Sequence, residues 1–161
     1  MEENLVHISE IGTVVEKTIK KNNKEYSFLV LLKEDEYCVI GSTIDKQIIV
    51  LKENNNILNK TILNLPILKQ KDYNTSNIEK LTGYKMSETS EIMRLPSYYI
   101  NTQFQTSKIK YYYISNMVPV FIKDNVDFLH KDEIEKILLL NQTSLTTAFG
   151  LLRIKDIIWI F

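Results

Sequence analysis

A single cysteine, Cys38, means that no internal disulfide forms, and no second Cys or nearby His stands at metal-ligand spacing from it. It lies in the apolar run Tyr37-Cys38-Val39-Ile40-Gly41 and reads as a small core residue in a protein of the reducing cytoplasm. Histidine is almost as scarce. His7 and His130 are far apart and outside any recognisable motif, so both read as surface or capping residues. Glycine numbers four, and none forms a phosphate-cradling Gly-x-Gly loop or a Gly-x-Ser-x-Gly nucleophile turn. Ser76 and Ser97 are therefore not read as nucleophiles. No apolar run approaches the ~20 residues that span a bilayer, and the acidic opening MEENLVHISE lacks the order of a signal peptide. Net charge is missing as well: 20 Lys and Arg face 20 Asp and Glu, which excludes the basic footprint of a nucleic-acid or anionic-membrane binder. Such balance leaves little colloidal repulsion and favours self-association.

What is present is the composition of a globular protein, 44% hydrophobic and 25% charged, enough to bury a core. No repeat or Pro/Gly/Ser-rich linker divides the 161 residues, so a single domain over 1–161 is expected, with N-terminal strands over about 1–35 and a core over about 36–161. The first half is β-rich. IGTVVEKTIK and EYSFLVLLK flank the turn-like KNNK, which predicts a hairpin. YCVIGST and KQIIVLK predict two buried strands, the asparagines of ENNNILNK a loop, and TILNLPI a fifth strand interrupted at Pro66.

The pattern then changes. NTSNIEKLTG predicts a short helix, with Asn74, Thr75 or Ser76 as N-cap and Gly83 just past its end. Ser76 and Glu79 have the Ser-x-x-Glu spacing of a capping box. SEIMRLPS and KIKYYYISNMVPVFI return to strand character. In the latter, Tyr111 and Tyr113 should point one way and Tyr112 the other. Two helices close the chain. The first places Ile134, Ile137 and Leu138 on its core face; the second is expected to place Leu145, Ala148, Phe149 and Leu152 there. Asp132 and Glu133 suit the first turn of the former. The class is α+β.

The stretch Ser76-Asn77-Ile78-Glu79-Lys80-Leu81-Thr82-Gly83-Tyr84 resembles the Arg-Glu-Leu-x-Glu-Glu-Thr-Gly-Tyr of the Nudix hydrolases. Asn64-Leu65-Pro66 resembles the Glu-Leu-Pro of that family's ADP-ribose pyrophosphatase-like branch, LPSYY its Pro-Ser-Pro-Gly, and LTTAFGLL its last helix. The resemblance runs from about residue 25 onward. It implies a Nudix-like α/β/α sandwich with a mixed β-sheet and an N-terminal β-hairpin. It also implies a homodimer made through the N-terminal strands, at roughly residues 11–33, which would cover a long edge strand.

The departures concern chemistry. In the family, paired carboxylates on the helix hold Mg²⁺ against pyrophosphate oxygens, since hard cations need several oxygen ligands. Here those places carry Ser76, Asn77, Lys80 and Leu81, and Lys80 sets a positive charge where cations would bind. Leu68 stands where the family has a glycine. The chain therefore reads as a catalytically degenerate relative: a binding or regulatory module for a nucleotide-type ligand or a protein partner, with no catalytic residue, metal site or cofactor assigned. Two alternatives stand beside it. One is a divergent nucleoside diphosphate hydrolase with ligands relocated among Glu53, Glu79, Glu91 and Glu133. The other is a structural subunit whose Tyr-rich strand makes contacts. Tyr98, Tyr99, Phe104 and Glu53 are the ligand-binding candidates, because tyrosines stack on bases and hydrogen-bond through their tips. Plain sheet packing is the competing use of these aromatics.

Overall fold

The computed structural model describes residues 2–9, 12–56, 59–99, 106–140 and 142–158, with side chains 156 and 158 excepted. Three strands come first: β1 (Glu2–Ile8), β2 (Thr13–Lys21) and β3 (Lys24–Leu32). The hairpin expected at KNNK is β2–β3. Asn22 and Asn23 both have positive φ, 53° and 59°, the conformation a two-residue turn needs to match strand twist. β1, which the sequence did not announce, pairs antiparallel with β2 and completes a three-stranded sheet.

A second sheet follows. Its strands are β4 (Glu36–Thr43), β5 (Ile48–Asn55), β6 (Lys60–Asn64), β7 (Ile67–Lys69), β8 (Tyr84–Lys85), β9 (Ile92–Arg94), β10 (Tyr98–Tyr99), β11 (Lys108–Pro119) and β12 (Val126–Leu129). The order is β10-β11-β4-β5-β12, with β6 on β5, β7 on β4, and β8 and β9 on β11. Pro66 separates β6 from β7, as the missing N–H demands. β11 and β4 run parallel at the centre, Tyr111 opposite Cys38; the other pairs are antiparallel.

Strand alternation divides the core into two layers. Cys38, Ile40, Ile48, Val50 and Tyr111 face α2 (Lys131–Leu139) and α3 (Leu145–Ile158), where Ile134, Ile137, Leu151 and Ile154 meet them. Val39, Ile49, Ile114 and Met117 face α1 (Thr75–Thr82) through Ile78 and Leu81. Helices thus cover both faces of a mixed sheet, the expected α/β/α arrangement. Tyr111 and Tyr113 pack on the α2–α3 side, while Tyr112 stacks on the other.

Two local expectations are corrected. Of the three N-cap candidates Asn74 is the cap of α1, and the Ser76–Glu79 capping box does not form: Asn74 Oδ1 accepts from the Asn77 N–H at 2.8 Å, which starts the helix at Thr75 and leaves Ser76 exposed inside it. The face of α3 is also turned. Leu145, Phe149 and Leu152 are 73%, 45% and 50% exposed, whereas Leu151 and Ile154 are fully buried. The buried face includes Thr147 and Gly150. The Thr147 hydroxyl accepts from the Leu65 N–H at 2.9 Å, and a Cβ on Gly150 would lie 2.7 Å from Leu65 Cδ1. Only a side chain of that size lets the helix approach the sheet so closely.

Candidate functional site

The positions that the sequence resemblance sets against the Nudix carboxylates lie on α1. Ser76 and Lys80 are exposed; Asn77 is half-buried and donates to the Asp72 carbonyl at 2.9 Å; Leu81 packs into the core. Of the polar members, the Asn77 side chain is engaged within the protein. The Lys80 carbonyl accepts from Lys123 Nζ at 2.8 Å. The helix ends at Gly83 in the left-handed conformation, φ 74°, with its N–H donating to the Glu79 carbonyl at 2.7 Å.

Glu53, Glu79, Glu91 and Glu133 are dispersed. Among the described residues, no group of three or more His, Cys, Asp or Glu side chains is placed to hold a metal ion. Glu133 accepts from the His130 N–H at 2.8 Å and so caps α2, where a carboxylate also meets the positive end of the helix dipole. Glu53 accepts from Asn64 Nδ2 at 2.6 Å. Through Asn64 Oδ1, which takes the Ser144 N–H at 3.2 Å and the Thr147 hydroxyl at 3.3 Å, it belongs to a polar seam joining β6 to α3.

The candidate aromatics are distributed likewise. Tyr98 is half-buried, stacked on Phe149 at 5.9 Å and edge-on to Tyr111 at 6.2 Å, with the Arg153 guanidinium 5.2 Å from its ring centre. Tyr99 is 57% exposed beneath Lys108 Nζ at 4.5 Å. Phe104 lies outside the described residues. Tyr98 and Tyr99 sit on β10, next to β11, whereas Glu53 is two strands further across on β5, so these do not converge.

Two features were not foreseen. The first is a tyrosine trio beside α1: Tyr37 stacks on Tyr73 at 4.6 Å and on Tyr112 at 5.8 Å. Lys110 bridges Tyr37 and Asp35 at 3.2 and 2.8 Å. The Lys110 ammonium bonded to Asp35 holds that carboxyl below its ordinary value, and burial raises the Tyr73 phenol.

The second is a cavity of about 520 Å³ on the α3 side of the sheet. Ser42 at the end of β4, Met93 on β9, Tyr113 and Asn116 on β11, and Ile157 on α3 line it. β11 shifts register between Ile114 and Met117, and Asn116 there has φ 50°. Such a bulge takes residues out of the ladder and re-aims them, here toward the cavity wall. Ser42 Oγ and Tyr113 Oη lie 2.8 Å apart, and burial keeps the Tyr113 phenol above its ordinary pKa despite that bond. The period-2 reading of KIKYYYISN set Tyr113 on the same side as Tyr111; nothing in a linear sequence brings residues 42, 93, 116 and 157 together.

No protein-family model matches this chain, and no curated protein does. Among solved structures it is similar to the crystal structure of an ADP compounds hydrolase, with a TM-score of 0.73 over 97% of this chain and 91% of that one. Identity between the two is 11%, so the likeness is one of fold. The mixed sheet, its covering helices and this neighbour together give the chain a Nudix-like fold.

Proposed function

We propose that this chain is a Nudix-fold binding module that holds a nucleotide-type ligand without hydrolysing a pyrophosphate. The observation that carries the reading is α1. The four positions that the resemblance sets against the family's paired carboxylates are Ser76, Asn77, Lys80 and Leu81, and Leu81, partly buried, packs against the core. A magnesium site needs several converging oxygens, and one lone carboxylate, Glu79, does not assemble it. No cofactor is assigned. The setting proposed is cytoplasmic, with 1–161 acting as one domain.

The test joins a thermal-shift screen to a product-release assay, using ADP-ribose, NAD and sugar nucleotides with and without Mg²⁺ or Mn²⁺. A ligand that binds only the native state, at a hundredfold excess over its Kd, adds about 2.7 kcal/mol to apparent stability. Stabilisation without release of AMP is the expected result. Metal-dependent AMP release would overturn the reading in favour of a hydrolase with relocated ligands.

A homodimer is the second element of the proposal. Leu5, Val15 and Val30 align across β1, β2 and β3, and the same face carries Ile8, Ile19 and Tyr26. Val15 and Val30 are already buried, but Leu5 and Ile8 at the β1 end of this face are 63% and 67% exposed, apolar surface that a monomer would leave in water. Sedimentation of Leu5→Glu/Ile8→Glu should give a monomer where the parent gives a dimer. A parent that sediments as a monomer would remove this element.

A further inference from the structure

We infer that the cavity between β9, the bulge of β11 and the end of α3 is the ligand site, and that it takes an uncharged nucleoside in preference to a nucleoside diphosphate. The inference rests on the binding reading above and narrows its ligand to the nucleoside part, so the diphosphate compounds of that screen should stabilise the chain less than adenosine does.

The cavity has the size and mixed lining of a small-molecule site. Its apolar part includes Met93 and Ile157, a flexible thioether beside a branched chain; Ile92, also at the rim, precedes Met93 on β9 and sends its side chain to the other face of the sheet. That composition suits the face of a flat heterocycle. Met93 is 42% exposed although it lies on a strand. Covering it with a ring would remove apolar surface from water.

The polar part supplies matched donors and acceptors. The Ser42 and Tyr113 hydroxyls share one hydrogen bond, so one of their two O–H protons is left to donate. Asn116 is fixed from three directions: its carbonyl accepts from Ser87 Oγ at 2.9 Å and Ser90 Oγ at 3.0 Å, and its Nδ2 donates to the Thr89 carbonyl at 3.1 Å. Its Oδ1 takes no hydrogen bond from a described side chain or backbone group and remains an acceptor. The Glu91 carboxylate is likewise unengaged by the described residues, and a carboxylate is well matched to a pair of ribose hydroxyls.

Charge decides the class of ligand. Among the described residues, the lining holds one cation, Lys46, and one anion, Glu91. Among the described lining residues there is no arginine fork or glycine-rich loop of backbone N–H groups to take a diphosphate, and Glu91 repels one. A ring with a polyol gains every contact named above without adding charge.

The experiment follows the four methionine methyl groups by ¹³C NMR while adenosine or ADP is titrated into the full chain. Adenosine should shift the Met93 methyl and bind at least about tenfold more tightly than ADP, with buried Met117 moving less. Met93→Trp, at an exposed edge-strand position, should weaken adenosine about tenfold or more. Glu91→Lys should bring ADP to parity with adenosine or better. Equal or tighter binding of ADP to the parent chain, or adenosine binding that Met93→Trp leaves unchanged, would overturn the assignment. So would a Met93 signal indifferent to adenosine. None of these outcomes bears on AMP release, so the site and the lack of turnover fail or stand separately.

Discussion

Leu151→Ala should lower stability by about 3 kcal/mol, and Leu152→Ala by less than about 1 kcal/mol. The two leucines are neighbours on α3 and equal in chemistry. They differ in surroundings: Leu151 is fully buried with Cys38, Ile40 and Tyr111, while Leu152 is 50% exposed. Truncating the first loses the transfer free energy of its methyl groups and leaves a cavity that the sheet cannot collapse to fill. Truncating the second removes a side chain already half in water. For a chain of this length, about 3 kcal/mol is a fall in Tm of roughly 6–12 °C, readable in a thermal melt. Reversed sizes would mean that α3 is rotated and that Leu145, Phe149 and Leu152 are its core face after all.

Gly83→Ala should cost about 2–3 kcal/mol, through two separable causes. The first is φ at 74°, where a Cβ crowds its own backbone. The second is proximity: a Cβ at Gly83 would stand 2.3 Å from the Phe121 carbonyl oxygen. That carbonyl cannot simply swing aside. The Val120 and Phe121 N–H groups both donate to the Gly83 carbonyl, at 2.8 and 3.2 Å, and pin the loop after β11 against the end of α1. Asparagine tolerates the left-handed region but carries a Cβ. Urea denaturation of Gly83→Asn therefore isolates the second cause. Stability equal to the parent's would show that the loop yields freely and that the close approach contributes nothing.

The strand half of this fold was legible wherever burial on both faces forces a continuous apolar run or a clean period of two. Tyr37 to Gly41 and Ile48 to Leu51 are such runs, and Tyr111, Tyr112 and Tyr113 divide between the faces as their spacing requires. The turn at Asn22-Asn23 and the stop at Gly83 were legible because few residues accept positive φ. The face of α3 was not. Counting apolar residues favoured Leu145, Phe149 and Leu152, whereas the buried stripe includes Thr147 and Gly150. Those two are chosen for a hydrogen bond and for closeness, which a hydropathy pattern scores as weakness. The α1 cap misled for a related reason. Ser76 and Glu79 have the right spacing, but Asn74 two residues earlier already satisfies the Asn77 N–H. β1 was missed because Glu2, Glu3 and Asn4 give an edge strand no apolar signature. The cavity was out of reach altogether, since it is made by the pairing of β9 and β4 with β11 rather than by any segment.

The parallel pairing of β4 with β11 also sets how the chain folds. β2–β3 and β5–β6 are local hairpins, cheap in loop entropy, and can close early. The centre of the sheet cannot, because Glu36 must find Ile109 and Cys38 must find Tyr111 across most of the intervening chain. Contacts so remote in sequence are reached only after a large entropic cost has been met, which places this chain with slow-folding topologies. The layer over Tyr111 arrives later still, since α3 is the last described element to be made. During synthesis, the local β4–β5 pair therefore waits with Ile40, Ile48 and Val50 bare until β11, α2 and α3 have been made.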